Sequence, residues 1–210
     1  MRLEDLRDRR VNFDSDGPHD PEHGWRIDDY RQPLRAEPPG EPVAGGVFEI
    51  AQDLLRNYQV ADPKMVRAHY DEDAPLEGRD MLLEIRFLGF TVNRSGCRVG
   101  KVIDDRREVG GRPVRVWGWP YQTLEGHVEQ GEMCWMVWKW LDTGEVDFRI
   151  HSYMRNAENV SPILNLGFKT VGQRERRRYL GNACRRMKSL TEEALRGEKP
   201  SAERTDDDPR

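Results

Sequence analysis

"PVRVWGWPYQTLEGHVEQGEMCWMVWKWLDTGEVDFRIHSYM" occupies residues 113–154, and its spacing decides the fold. Apolar side chains alternate through Val114 and Val116, the two-residue period of a half-buried strand. The run "EMCWMVWKWL" is apolar on both faces, which predicts a central strand covered from both sides. "LDTGE" reads as a turn. "EVDFRIHSYM" alternates again, with Val146, Phe148 and Ile150 inward and Asp147, Arg149 and His151 outward. Strand geometry puts Trp135 on the face opposite Trp138 and Trp140, so the tryptophans of this stretch cannot share one cavity.

Working outward, more strands come into view. "DMLLEIRFLGF" places Met81, Leu83, Ile85 and Phe87 on one face. "GCRVGKVID" alternates through Cys97 and Val99 and slips at Gly100, which predicts a bulge. Gly110-Gly111 predicts a hairpin turn. Further upstream, Phe48, Ala51, Leu54, Leu55 and Tyr58 recur at helical spacing. Asp62 and Pro63 then read as the cap and first residue of a second short helix. Residues 11–46 are too rich in proline for a regular helix or a central strand. Trp25, Ile27 and Tyr30 in this segment are expected to anchor an edge strand or an extended arm.

Downstream, Ser161-Pro162 suggests a helical start. A long helix is expected from about Gln173 to Leu195. Gly172, Arg176, Tyr179, Ala183, Met187, Leu190 and Ala194 share one side of it. Arg174, Arg177, Arg178, Arg185 and Lys188 share the other. The expected fold class is α+β. An antiparallel meander of five to seven strands wraps on the long C-terminal helix, with two short helices near the start, in a helix-grip-like arrangement. The expected organisation is a flexible segment over 1–23, a single domain over 24–196 and a disordered tail over 197–210.

The 210 residues carry a net charge of −4, which argues against a nucleic-acid footprint spread over the whole protein. No apolar run is long enough to cross a membrane. The first ten residues lack the apolar region of a signal peptide. Cys97, Cys134 and Cys184 are widely spaced, which suits reduced thiols and a cytoplasmic location. Oligomeric state is left open.

His127 with Glu129 and Glu132 forms the sharpest chemical constellation. Histidine exchanges protons near neutral pH, and a carboxylate can orient it. The alternative is a loop motif set by Gly126 and Gly131, with His127 and Glu132 capping the turn. His-x-Glu also opens a zinc-deaminase signature, but the Pro-Cys-x-x-Cys that would complete the site is missing. No metal and no cofactor are expected. Trp119 and Trp135 are candidate ligand-stacking residues or, equally, core pairs. Tyr121, Thr123, Gln173 and Tyr179 are candidate polar contacts between sheet and helix. Arg176 is the one charge on the apolar side of the helix. It is a candidate grip for an anion, or a partner for a sheet carboxylate such as Glu84.

The pattern Tyr121-x-Thr123-Leu124-x-Gly126-His127-x-Glu129-x-Gly131-Glu132 resembles the signature of an uncharacterised family. It is catalogued as a domain of unknown function, numbered nineteen-ninety, from actinobacteria and plants. "PLEGRDMLLEIRF", "GEVDFRIHSYMR" and "GFKTVGQRERRRYL" extend the resemblance over about residues 24–190. The Cys134–Trp140 run is richer in tryptophan than that pattern. The resemblance implies no established activity. The order of elements is similar to that of the helix-grip proteins of the START-like or Bet v 1-like superfamily. That similarity implies a small apolar or aromatic ligand held between sheet and helix. An enzyme using His127 as general acid or base in the same cavity is the second reading. An interaction module using the basic helix face is the third.

Overall fold

A computed structural model describes residues 1–87, 90–157 and 173–198. Eight strands form one antiparallel sheet. They are β1 (Arg26–Pro33), β2 (Val66–His69), β3 (Asp80–Phe87), β4 (Phe90–Val99), β5 (Ile103–Val109), β6 (Arg112–Thr123), β7 (Glu129–Trp140) and β8 (Val146–Asn156). Helix α1 spans Val47–Arg56 and helix α2 spans Gln173–Leu195. The strand order is β1-β8-β7-β6-β4-β3-β2, with β5 also paired to β6. The α+β helix-grip arrangement read from the sequence is the one observed.

The tryptophan-rich run is indeed central: β7 lies between β6 and β8 along its length. Its odd-numbered residues Met133, Trp135 and Val137 face the helices, together with Trp117, Trp119 and Tyr121 of β6 and Phe148 and Ile150 of β8. Phe48, Ala51, Leu54 and Leu55 of α1 and Tyr179, Leu180, Ala183, Met187 and Leu190 of α2 close this core. The even-numbered residues Met136, Trp138 and Trp140 pack on the outer face with Val114 and Val116. Gly110 and Gly111 both have positive φ (59° and 76°) and form the two-residue β5–β6 turn, the conformation glycine permits at least cost.

Three expectations need correction. The segment after Asp62 is a single turn followed by β2, not a helix. Asp62 does cap, since its carboxylate accepts Lys64 N–H at 2.9 Å and its carbonyl accepts from Met65 and Val66. Val66 and Ala68 then pair with Ile85 and Leu83, and this edge pairing outweighs local helical preference. Gly100 is not a bulge within one strand. There the chain leaves the edge of β6, where β4 pairs at Cys97–Val99, and rejoins it as β5; the register shift lies instead between Ile85 and Arg86.

The count is also eight strands rather than five to seven, because β1 and β2 extend the two edges. Within the first 23 residues one side chain is anchored to the sheet. Leu6 is fully buried against Leu82 and Leu124. It occupies the space that Gly96 leaves by having no side chain. One leucine among charges carries almost no sequence signal, and the hole that receives it lies 90 residues away. Ser161-Pro162, Gly172 and the tail from residue 199 lie outside the described residues.

Candidate functional site

The inner face changes character along its length. Its middle is aromatic. Trp119 and Trp135 are opposed across β6 and β7, and each has no exposed surface. Tyr58 packs on both, with ring centroids at 6.0 and 5.9 Å, and Phe148 stacks on Trp135 at 6.1 Å. Tyr179 meets Trp135 edge-on, and its hydroxyl pairs with that of Tyr58 at 2.8 Å. Burial raises the pKa of Tyr58, Tyr121 and Tyr179, so all three stay protonated. The indole N–H groups of Trp119 and Trp135 have no acceptor. A buried donor left unpaired costs roughly 1–3 kcal/mol.

The end of the face nearest the β6–β7 turn is ionic. Arg176, on the first turns of α2, donates to Asp28 of β1 at 2.8 Å and to Ser152 of β8 at 2.8 Å. It also lies 3.4 Å from Glu129 of β7. Arg26 reaches Glu129 at 2.7 Å and Asp28 at 3.6 Å. Burial pushes the Glu129 pKa up, but the charges of Arg176 and then Arg26 outweigh it and hold Glu129 below its usual value. Burial would lower the Arg176 pKa; Glu129 and Asp28 raise it. Two acids and two bases therefore balance one another beside an aromatic core.

His127 lies in the turn itself, its backbone N–H bonded to Leu124 O at 2.9 Å. Its Nδ1 accepts the Glu129 backbone N–H at 2.9 Å, so a neutral ring carries its proton on Nε2. Burial lowers its pKa to about 4. At neutral pH His127 is uncharged, with one nitrogen lone pair occupied and the other nitrogen protonated. Neither nitrogen is then free to act as a base.

The sequence candidates separate on this map. Arg176, Glu129, His127 and Tyr121 converge at the ionic end, while Trp119, Trp135 and Tyr179 form the aromatic middle. Glu132 points to the outer face, where Gln122 Nε2 donates to it at 3.0 Å, and burial raises its pKa. Even and odd positions of a strand part company, so Glu132 cannot assist His127. Thr123 fastens the turn: its hydroxyl accepts Gly131 N–H at 2.9 Å and lies 2.6 Å from Asn12 Oδ1. Gln173 is exposed at the helix start. Glu84, the carboxylate considered for Arg176, instead pairs with Thr91, Arg94 and His69.

Arg174, Arg177, Arg178, Arg185 and Lys188 are exposed. No cluster of three metal-binding side chains occurs among the described residues, and no helix there is long and apolar enough to cross a membrane. Sequence reasoning missed Asp28 and Ser152. The available signal was Ser152, the one polar residue among the inward positions of β8 between Ile150 and Met154.

The histidine makes a pH prediction. Its pKa is about 4 in the folded protein against 6.5 for the free side chain. A depressed pKa means the unfolded chain binds the proton first as pH falls. Stability is therefore full above about 6.5 and declines down to about 4, by roughly 2 kcal/mol at pH 5. His127→Asn keeps an acceptor for the Glu129 amide and removes the titration. Urea unfolding at pH 7 and pH 5 should show a smaller loss in this variant; an identical loss would remove His127 as its source.

No curated protein gives a significant match. The crystal structure of Ara h 8.0201 is similar over 82% of this chain and 99% of that one, at 9% identity and TM-score 0.47. The di-domain ARO/CYC StfQ from the steffimycin biosynthetic pathway is similar over 80% of this chain, at 15% identity and TM-score 0.48. This chain spans about half of StfQ, 52% of its length. Hypothetical protein jhp0584 from Helicobacter pylori is similar over 76% of this chain and 85% of that one, at 10% identity and TM-score 0.41. The family described as "Domain of unknown function (DUF1990)" matches residues 11–182, which include the β6–β7 turn, both its strands and the start of α2, and the chain belongs to that family.

Proposed function

We propose that the protein binds a small apolar or aromatic molecule between the sheet and α2, and that this molecule carries a hydrogen-bond acceptor such as a ketone oxygen. One observation carries the reading: two fully buried indole N–H groups, on Trp119 and Trp135, lack an acceptor in the middle of the aromatic face. A core built only for stability would have to offset the desolvation of two such unpaired donors. The ionic cluster at Arg176 bounds the apolar region and fixes its polar end.

An occupant has to displace packed side chains, because Trp119, Trp135 and Phe148 have no open surface. The yielding element is α2. The strands are held by continuous ladders, whereas α2 is tied by a few polar contacts at Arg176, Tyr179, Asn182 and Arg186. Binding is preferred to acid–base catalysis here because His127 Nδ1 is occupied and Glu129 is neutralised by two arginines.

Native mass spectrometry of protein purified from its own host tests the reading. The expected result is a bound species that survives native conditions and is released on denaturation. Trp119→Phe should keep its melting temperature within a few degrees and lose most of the bound species. No bound species, together with unmoved indole N–H resonances of Trp119 and Trp135 against a panel of aromatic ketones, sinks the proposal.

A further inference from the structure

We infer that the outer face of the sheet carries a second binding site, for a small aromatic carboxylate, built on Met136, Trp138, Arg31 and Arg149. It lies on the opposite side of the sheet from Trp119 and Trp135, so it stands or falls independently of the reading above.

A depression of about 340 Å³ opens there, lined by Asp29, Arg31, Met136, Trp138, Arg149 and His151. Register explains the grouping. Arg31, Arg149 and Met136 are directly opposed across β1, β8 and β7, as are Asp29 and His151. Directly opposed residues of an antiparallel pair project from the same face. The volume falls at the small end of the roughly 300–1,000 Å³ typical of ligand sites, which suits one or two fused rings.

The ligand's chemistry follows from an imbalance of donors and acceptors. Asp147, buried beneath the floor, is the carboxylate these groups share. It accepts from Arg31 Nε at 2.8 Å, Trp140 Nε1 at 3.1 Å and Arg149 Nη2 at 3.3 Å. Asp29 is engaged by His151 Nδ1 at 2.7 Å. Both Asp147 oxygens and Asp29 Oδ1 are used, yet Arg149 Nε and Trp138 Nε1 have no acceptor. Arg31 and Arg149 thus line the depression with Asp147 buried between them and Asp29, paired to His151, exposed at the rim. A ligand carboxylate supplies two acceptor oxygens in the geometry a guanidinium matches.

The apolar part of the ligand is called for by Met136 and Trp138. The Arg149 guanidinium already lies 3.9 Å from the centroid of a Trp138 ring, and an arene can join this stack. A bare phosphate would use the arginines and leave this floor without a partner.

Calorimetric titration of the full chain with 2-naphthoate, 2-naphthamide and inorganic phosphate tests the site. Naphthoate is expected to bind at least about tenfold more tightly than the amide or phosphate. Arg31→Met should weaken naphthoate binding about tenfold; Arg31 is half-exposed, and Asp147 keeps Arg149 and Trp140 as donors in the variant. Arg174→Met removes an equal charge from the exposed face of α2 and should leave binding unchanged. In a proton–nitrogen correlation spectrum the Trp138 indole resonance should move on titration, with those of Trp119 and Trp135 unmoved. Four outcomes each overturn the assignment: no binding, equal affinity for acid and amide, phosphate binding as tightly as naphthoate, or a shift confined to Trp119 and Trp135. Unaltered affinity in Arg31→Met overturns it as well.

Discussion

Replacing Lys139 with methionine is expected to destabilise the fold by roughly 3–5 kcal/mol, the cost of leaving one partner of a buried ion pair alone. Lys139 has no exposed side-chain surface, and the Glu37 side chain is 4% exposed. The ammonium donates to Glu37 Oε2 at 2.6 Å and to Glu41 O at 2.7 Å. The other carboxylate oxygen, Oε1, accepts the Phe48 N–H at 2.9 Å. Glu37 therefore caps α1 from a distance, in place of Gly46, which has no side chain to do so. The pair ties the middle of the sheet, the 34–46 strap and the start of α1 together.

Against a total stability of about 5–15 kcal/mol, the loss is large. It should lower the melting temperature on the order of 10 °C. The double variant Lys139→Met, Glu37→Gln should recover much of it, because the amide oxygen still accepts from Phe48 and no charge is left buried. By contrast, Arg106 and Glu41 form an exposed pair, at 63% and 53% side-chain exposure. Arg106→Met should cost under about 1 kcal/mol. A Lys139→Met variant within 1 kcal/mol of the parent in urea unfolding would mean that the pair does not hold the strap.

The Lys139 pair also marks where sequence reading stops. Period-two alternation was enough to find β3, β6 and β8, a run apolar on both faces marked β7, and helical spacing was enough for α1 and for the buried side of α2. Those signals are local, and burial writes them directly into the residue order. Lys139 alternates with Trp138 and Trp140 as an apolar residue would, but nothing nearby says that its charge is inward or that Glu37 meets it. The same holds for Leu6 under Gly96 and for Asp28 beneath Arg176. Each is a pairing between distant segments, specified only once the sheet has brought them together.

At the candidate site the sequence picked out Arg176, Glu129 and His127 by chemical type. It grouped Glu132 with them by proximity in the chain. The pleat separates Glu132 from Glu129, because Gly131 holds its place within the ladder and the odd–even alternation runs through it. The helix at Asp62 failed for another reason. A good cap begins a turn whatever follows, and pairing with β3 decided what followed.

Arg176→Met should lower stability by roughly 3 kcal/mol at pH 7, and by much less at pH 4. The guanidinium bridges Asp28, Ser152 and Glu129 and is itself 11% exposed. Its removal leaves Asp28 and Glu129, partly buried at 12% and 24% side-chain exposure, with Arg26 as their remaining countercharge. In the parent, Glu129 titrates below 4.5, so it contributes stability that is present above 4.5 and lost as pH falls through its folded pKa. Without Arg176 burial is opposed chiefly by Arg26, so the Glu129 pKa is higher than in the parent and the variant loses less stability as pH falls. The two stability curves should therefore converge as pH falls from 7 to 4.

Arg176→Lys keeps the charge but offers one compact ammonium where a planar fork spanned three partners. It should lie between the parent and Arg176→Met. Hydrogen exchange in residues 173–180 should speed up in the order parent, lysine, methionine. The hydrogen bonds of Tyr179, Asn182 and Arg186 run to the segment around Tyr58–Asp62, so Arg176 supplies the polar tie from the first turns of the helix to the sheet. If the curves for Arg176→Met and the parent stay parallel from pH 7 to 4, the arginine is not neutralising buried carboxylates. The ionic end of the inner face would then be a solvated surface rather than the boundary of a binding region.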